Sequence, residues 1–179
     1  MMVGKRVRLR AVCKDDLPNF VRWLNDREVT RFLLLATPMA LDQEEAWFEK
    51  MRQSPLTEHP LAIEIDTPEG WRIIGNIGFH RIDWVARNTE VGIFIGEKQF
   101  WSQGYGTEAM RLMLKHGFED INLNRIFLHV MEPNTRAIRS YEKSGFKHEG
   151  VLRQATYREG RYQNLLVMSV LQSEWNPES

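Results

Sequence analysis

The chain has 179 residues, 42% of them hydrophobic and 27% charged, which supplies the core of one globular domain over 1–179 and sets it apart from disordered polymers. Its 24 Lys and Arg balance 24 Asp and Glu, so the basic excess of a dedicated nucleic-acid binder is missing and no nucleic-acid partner is expected. No apolar run approaches the ~20 residues of a membrane helix, and the start of the chain lacks a signal-type apolar core. The five histidines have no ligand spacing, so no metal is expected. The lone cysteine excludes an intrachain disulfide, in keeping with a cytoplasmic protein.

In chain order, the alternation in "RVRLRAV" predicts a first strand, with Cys13 beside it as a small strand residue. "DDLPNFVRWLND" places Leu17, Phe20, Val21 and Leu24 on one helical face, with Asp15 or Asp16 as N-cap and Pro18 in the first turn. "LDQEEAWFEKM" reads as a second helix opened by an Asp42–Glu45 capping box. "LAIEID", "WRIIGNIGFHRI" and "NTEVGIFIGE" are strands, and the short turns between them predict an antiparallel meander. In the third of these strands Gly92 and Gly96 suggest a bulge that frees backbone groups.

"TEAMRLMLKHGFEDI" carries the strongest helical periodicity, with Met110, Met113, Leu114, Gly117, Phe118 and Ile121 on one face. "RIFLHVM" returns as a strand, and a strand–helix–strand crossover implies that the two flanking strands are parallel. "PNTRAIRSYEKSGF" is a short helix that Asn134 can cap, with Gly145 suited to the left-handed position after its end. "GVLRQATYREGRYQNLLVMSVL" is two strands joined by a tight turn at Arg158 to Arg161. The sum is an α+β fold, a mixed and mostly antiparallel sheet flanked by helices.

The segment "SQGYGTEA" sits just before the periodic helix. No Gly-Lys-Ser/Thr follows, so it is not a Walker A loop. Gly104, Gly106 and Ala109 match the dinucleotide pattern GxGxxA, and Glu132 stands where a ribose-binding acid would be. Yet "GEKQFWSQ" separates strand from loop, and only about fifty residues remain for the second nucleotide-binding half, so that reading is rejected. What remains is physical. Gln103, Gly104, Tyr105, Gly106 and Thr107 put unpaired N–H groups and the positive end of a helix dipole where a pyrophosphate can sit.

Together, "EVGIFIGEKQFWSQGYGTEAMRLMLKHGFE" and "NTRAIRSYEKSGFKHEG" resemble the GNAT superfamily of acetyl-CoA-dependent N-acetyltransferases, nearest the branch with ribosomal-protein-alanine and spermidine/spermine acetyltransferases. The family loop is Q/R-x-x-G-x-G/A, and here Trp101 or Ser102 stands where Gln or Arg is usual. The second motif, N-x-x-A/S-x-x-x-Y-E-K-x-G-F, matches throughout. The resemblance implies a GNAT-like sheet and acetyl-CoA as co-substrate. It also implies backbone contacts from Phe94, Ile95 and Gly96 to the pantetheine arm, and pyrophosphate binding by Ser102, Gln103, Gly104, Tyr105, Gly106 and Thr107. Asn134 would then hydrogen-bond the pantetheine, with Tyr141 beside the sulfur.

Asn134 and Tyr141 are seven residues apart, close to two helical turns, so one face can hold the arm and present a phenol to the thioester. A phenol can return a proton to the leaving thiolate, which makes Tyr141 the candidate general acid. An alkylammonium acceptor needs a base. Glu90 shares a strand face with Gly92 and Phe94, away from the aliphatic face of Val91, Ile93 and Ile95, and is the candidate. Arg136, Arg139 and Lys143 are candidate phosphate contacts or a solvated helix face.

Three functions are compatible with these residues. The first is acetylation of a small amine or polyamine, for which Asp26, Glu28, Glu44, Glu45 and Glu64 are candidate pocket carboxylates. The second is acetylation of a peptide N-terminus, and the third is a CoA-binding regulatory module without turnover. A homodimer is the default assembly.

Overall fold

The computed structural model describes residues 1–35 and 37–176. Its strands are β1 (Met2–Val3), β2 (Val7–Ala11), β3 (Leu61–Thr67), β4 (Gly70–Asp83), β5 (Asn88–Ile95), β6 (Arg125–Met131), β7 (Lys147–Arg158) and β8 (Arg161–Leu171). Its helices are α1 (Leu17–Leu24), α2 (Arg27–Thr30), α3 (Leu41–Met51), α4 (Tyr105–Lys115) and α5 (Thr135–Lys143). The strands form one eight-stranded sheet, ordered β1-β2-β3-β4-β5-β6-β8-β7. Every pairing is antiparallel except β5 with β6, which the crossover through α4 makes parallel.

Period-two patterning gives the sheet two apolar faces. On one, Leu9, Ile63, Ile77, Phe79, Ile126 and Leu128 pack with Met110, Met113 and Leu114 of α4. On the other, Phe20 and Trp23 of α1, Val29 of α2 and Phe48 of α3 pack with Ala62, and Phe94 rests against them. α5 lies on the α4 side, where Ala137, Ile138 and Tyr141 meet the first core.

Most expected elements stand, with local corrections. α1 buries Leu17, Phe20 and Trp23, whereas Val21 and Leu24 are only half-buried. The indole of Trp23, not assigned to the buried face from sequence, fills the space against β5. Asp16 does not cap α1. It takes a bidentate contact from Arg10, 2.7 Å to each oxygen, and accepts from Cys13 N at 2.9 Å. Arg10 also reaches Glu64 at 2.9 Å, and Arg8 reaches the same carboxylate at 2.5 Å, so two buried acids are held by two arginines from one strand. Cys13 follows the strand rather than belonging to it, and is exposed. The capping box on α3 is displaced by two residues. Gln43 Oε1 accepts from Ala40 N at 2.9 Å, while Glu45 points to Lys14 at 3.5 Å. α4 ends in a wider turn over His116–Asp120, where Ile121 N reaches back to His116 O.

Candidate active site

β5 and β6 are paired only through Asn88–Arg125, Thr89–Ile126 and Glu90–Phe127. Beyond that point β5 runs on to Ile95 and β6 to Met131 without pairing, which opens a fork in the sheet. A cleft of about 1030 Å³ passes through it, lined by both strand edges, by the N-terminal turn of α4 and by α5.

Hydrogen bonding sets what β5 offers. Gly96 N and Glu97 N both donate to Ile74 O, at 2.7 and 3.2 Å, a bulge-like ending that engages the Gly96 N–H instead of freeing it. Alternation from Gly96 turns the backbone groups of Gly92 and Phe94 toward β4, and those of Val91, Ile93 and Ile95 toward the fork. Gly92 pairs in register with Gly78 and forms no bulge. Of the three residues expected to meet pantetheine through the backbone, Ile95 faces the opening, joined by Ile93. Phe94 and Gly96 are turned to β4. Gly96 instead leaves room for the α1 indole, because a Cβ there would lie 2.1 Å from the Trp23 ring.

The glycine loop is built as a donor cradle. Gly104 has φ +88°, the left-handed conformation that glycine adopts without strain, and it starts α4. The first helical bond runs from Glu108 N to Gly104 O at 3.0 Å, leaving the N–H groups of Tyr105, Gly106 and Thr107 outside the ladder. A Cβ on Gly106 would meet no protein atom nearer than 3.8 Å, so the bare backbone borders open cleft. The loop is braced from behind. Glu108 accepts from Arg6 N at 2.7 Å and Val7 N at 3.1 Å, Arg6 Nη2 donates to Gln103 O at 3.2 Å, and the Arg6 guanidinium covers the Tyr105 ring at 4.6 Å. In front, the hydroxyls of Thr107 and Ser140 are 2.8 Å apart and join α4 to α5. Ser102 adopts a positive φ of 60° at the lip of the cleft.

Trp101 occupies the position where the resemblance calls for Gln or Arg. Its indole N–H donates to Ile95 O at 2.8 Å, and its ring carries the Arg136 guanidinium at 3.7 Å. The loop therefore gains its cation from α5. Burial holds Arg136 below its ordinary pKa, and the Glu28 charge works the other way. Arg139 and Lys143 line the same cleft from exposed positions. The donor set fits a diphosphate: three helix-start amides, a close-approach glycine and a stripe of cations.

Asn134 caps α5 through Oδ1, which accepts from Ala137 N at 3.3 Å; its amide NH₂ is left for the cleft. Tyr141 follows on the cleft side, its ring 5.8 Å from Phe146. Among the described residues none accepts from its hydroxyl, and burial pushes the phenol up to about 12.

Across the fork, on the α1–α3 side of the sheet, Glu90 Oε1 is 2.7 Å from His129 Nδ1. Sequence reasoning missed His129. Its signal was period two: with Ile126, Leu128 and Val130 on the core face, residue 129 had to turn to the face that Glu90 occupies across the parallel pair. The His80 ring lies against Gly92, also on the cleft. The acids proposed for a polyamine pocket lie elsewhere. Asp26 and Glu28 each hold Lys98 at 2.8 Å, Glu45 reaches Lys14, and Glu64 is locked between Arg8 and Arg10. Glu44 is buried beside a smaller cavity of about 230 Å³ that shares Trp47 and Asn76 with the cleft.

Comparison with known proteins gives this arrangement a family. Residues 6–147 match the model of the acetyltransferase (GNAT) domain. The chain is 27% identical to an uncharacterized N-acetyltransferase, p20, of Bacillus licheniformis over 96% of both chains. It is 27% identical to spermidine N(1)-acetyltransferase of Vibrio cholerae over 97% of both chains. The crystal structure of spermidine N-acetyltransferase from Vibrio cholerae, in complex with CoA and spermine, superimposes with a TM-score of 0.87 at 26% identity, covering 96% of this chain and 98% of that one. A sheet forked at its one parallel pair, a helix-start donor cradle beside the fork and this extent of likeness lead to one conclusion: the chain belongs to the GNAT family of acetyl-CoA-dependent N-acetyltransferases.

Proposed function

We propose that the protein moves an acetyl group from acetyl-CoA directly onto the primary amine of a small molecule, with both substrates in the cleft at once. One observation carries this reading. The fork has Glu90 and His129 on one side of the sheet and Tyr141 on the other, with the cleft running between them.

The chemistry follows from that separation. The free N–H groups of Tyr105, Gly106 and Thr107 grip the pyrophosphate, Arg136 and Lys143 add charge, and the Asn134 amide holds the pantetheine arm that runs past Ile93 and Ile95. Glu90, in contact with His129, takes a proton from the ammonium of the acceptor. The amine nitrogen then forms its bond to the thioester carbon. Backbone N–H groups on the open edge of β5 receive the negative charge that gathers on the carbonyl oxygen. As the C–S bond breaks, Tyr141 gives its proton to the sulfur, and the second N–H proton of the adduct, lost as the neutral amide forms, returns to the phenolate through water, leaving the proton on Glu90 to be released to solvent. Burial favours the neutral phenol, and the same desolvation raises the proton affinity of the departing thiolate, so the two stay matched.

We take residues 1–179 as one catalytic domain and assign the reaction to the cytoplasm, where a free thiol such as Cys13 stays reduced. A polyamine, the kind of acceptor named for the Vibrio cholerae relative, is within this reading. The test is CoA-thiol release from acetyl-CoA in the presence of primary amines, with mass spectrometry of the amide. Initial-rate lines that intersect support direct transfer. Parallel lines would show an acetyl-enzyme instead. CoA binding with no release on any amine would mark a binding module.

A further inference from the structure

The acceptor half of the cleft has a chemistry that the family likeness does not assign. Its wall is formed by Phe32, Leu33 and Leu34 after α2 and by Trp47 and Met51 of α3. Leu34 is 72% exposed on the cleft, an apolar side chain held at a solvent boundary. The segment is not loosely attached. Arg158, at the end of β7, donates to Leu33 O, and Arg31 reaches Glu159 at 3.4 Å, so the β7–β8 turn fastens this wall in place.

The charges give the same answer from the other side. Among the described residues only two carboxylates line the cleft, Glu58 and Glu90. Glu58 accepts from Ile82 N at 3.0 Å and Glu90 meets His129. A second or third ammonium on the acceptor would lie against Leu, Phe and Trp, with Lys50 also on the lining as a like charge. Glu44 lies in the adjoining cavity and not on the lining of the cleft, and its burial there holds the carboxyl above its ordinary pKa.

We propose that the acceptor is a monoamine whose single primary amine is borne on an aromatic or branched aliphatic body: the amine meets Glu90, and the body lies on the Phe32–Leu34 and Trp47 wall. This rests on the N-acetyltransferase reading above. The test uses the full chain with acetyl-CoA and compares 2-phenylethylamine and isopentylamine with spermidine and with a short peptide bearing a free N-terminus. The expected result is kcat/KM for phenylethylamine at least about 10-fold above that for spermidine and for the peptide. Leu34→Glu, at an exposed position and so free of folding cost, is expected to lower that preference about 10-fold while leaving KM for acetyl-CoA unchanged. Preference for spermidine or for the peptide would overturn the proposal and leave the acetyltransferase reading standing. A preference unmoved by Leu34→Glu would overturn the assignment of the wall. Calorimetric binding of acetyl-CoA without turnover of any amine would overturn both the proposal and the reading beneath it.

Discussion

Glu90 Oε1 and His129 Nδ1 stand 2.7 Å apart on neighbouring parallel strands, Glu90 in the last residue pair before those strands separate and His129 two residues past it. Glu90→Gln keeps the size of the side chain and removes its charge. It is expected to lower kcat/KM for the amine by about 10²-fold, the scale of a lost general base. His129→Gln should cost less, about 10-fold in kcat/KM for the amine, with KM for acetyl-CoA unchanged. If kcat/KM for the amine is the same in wild type and variant, His129 has no part in the proton path.

Tyr141→Phe is expected to lower kcat by about 10²-fold with little change in acetyl-CoA affinity. Because burial pushes the phenol up to about 12, it keeps its proton across the working range. The ratio of wild-type to variant kcat should therefore be flat between about pH 6 and pH 9. A ratio that collapses toward one at about pH 9 would mean that the phenol ionises far below that value and is no acid in this range.

Two glycines near the cleft should respond in opposite ways. Gly96→Ala drives a Cβ to within 2.1 Å of the buried Trp23 ring. An overpacked core of this kind costs about 1–3 kcal/mol, so the midpoint of thermal unfolding should fall by several degrees. Gly106→Ala meets no protein atom within 3.8 Å and sits in the first turn of α4. Its melting point should hold or rise slightly, while KM for acetyl-CoA rises roughly 10-fold as the methyl enters the pyrophosphate cradle. A melting loss at 106 with KM intact would remove that residue from the cradle.

Glu44 gives a pH-dependent prediction. Burial raises its pKa in the folded state above that of the unfolded chain. A raised folded pKa means that the stabilising contribution is complete below the unfolded value and is lost as pH rises through the folded one. Glu44→Gln should thus melt higher than wild type at about pH 8, with the difference shrinking toward about pH 4. A difference that grows on acidification would mean that Glu44 is held as a charged partner.

What could be read from the chain was whatever lies within one element or one turn. The helical period of Met110 to Leu114, the cap at Asn134, the left-handed Gly145 and the faces of β5 all follow from local geometry. The polyamine acids failed for a different reason. Glu64 alternates correctly on its strand, but only the β2–β3 register places it opposite Arg8, with Arg10 alongside. Asp26 and Glu28 are claimed by Lys98, seventy residues beyond Glu28. The expected bulge at Gly92 failed similarly, because the opening in the sheet arises where β6 departs, a property of two strands that neither one carries alone. Trp101 departs from the loop motif when taken alone, and only the packing of α5, which lays Arg136 on its ring, brings a cation to that position.

The link between Thr107 and Ser140 has a consequence for the order of events. It ties the two helices that border the donor cradle to each other through a bond between protein groups, so a nucleotide bound there would enter a mould held by the protein itself and spend little of its binding free energy on arranging it. Such a mould favours early occupation by acetyl-CoA. The acceptor would then arrive at a thioester already fixed in place, and its affinity measured without the nucleotide should be weaker than in its presence.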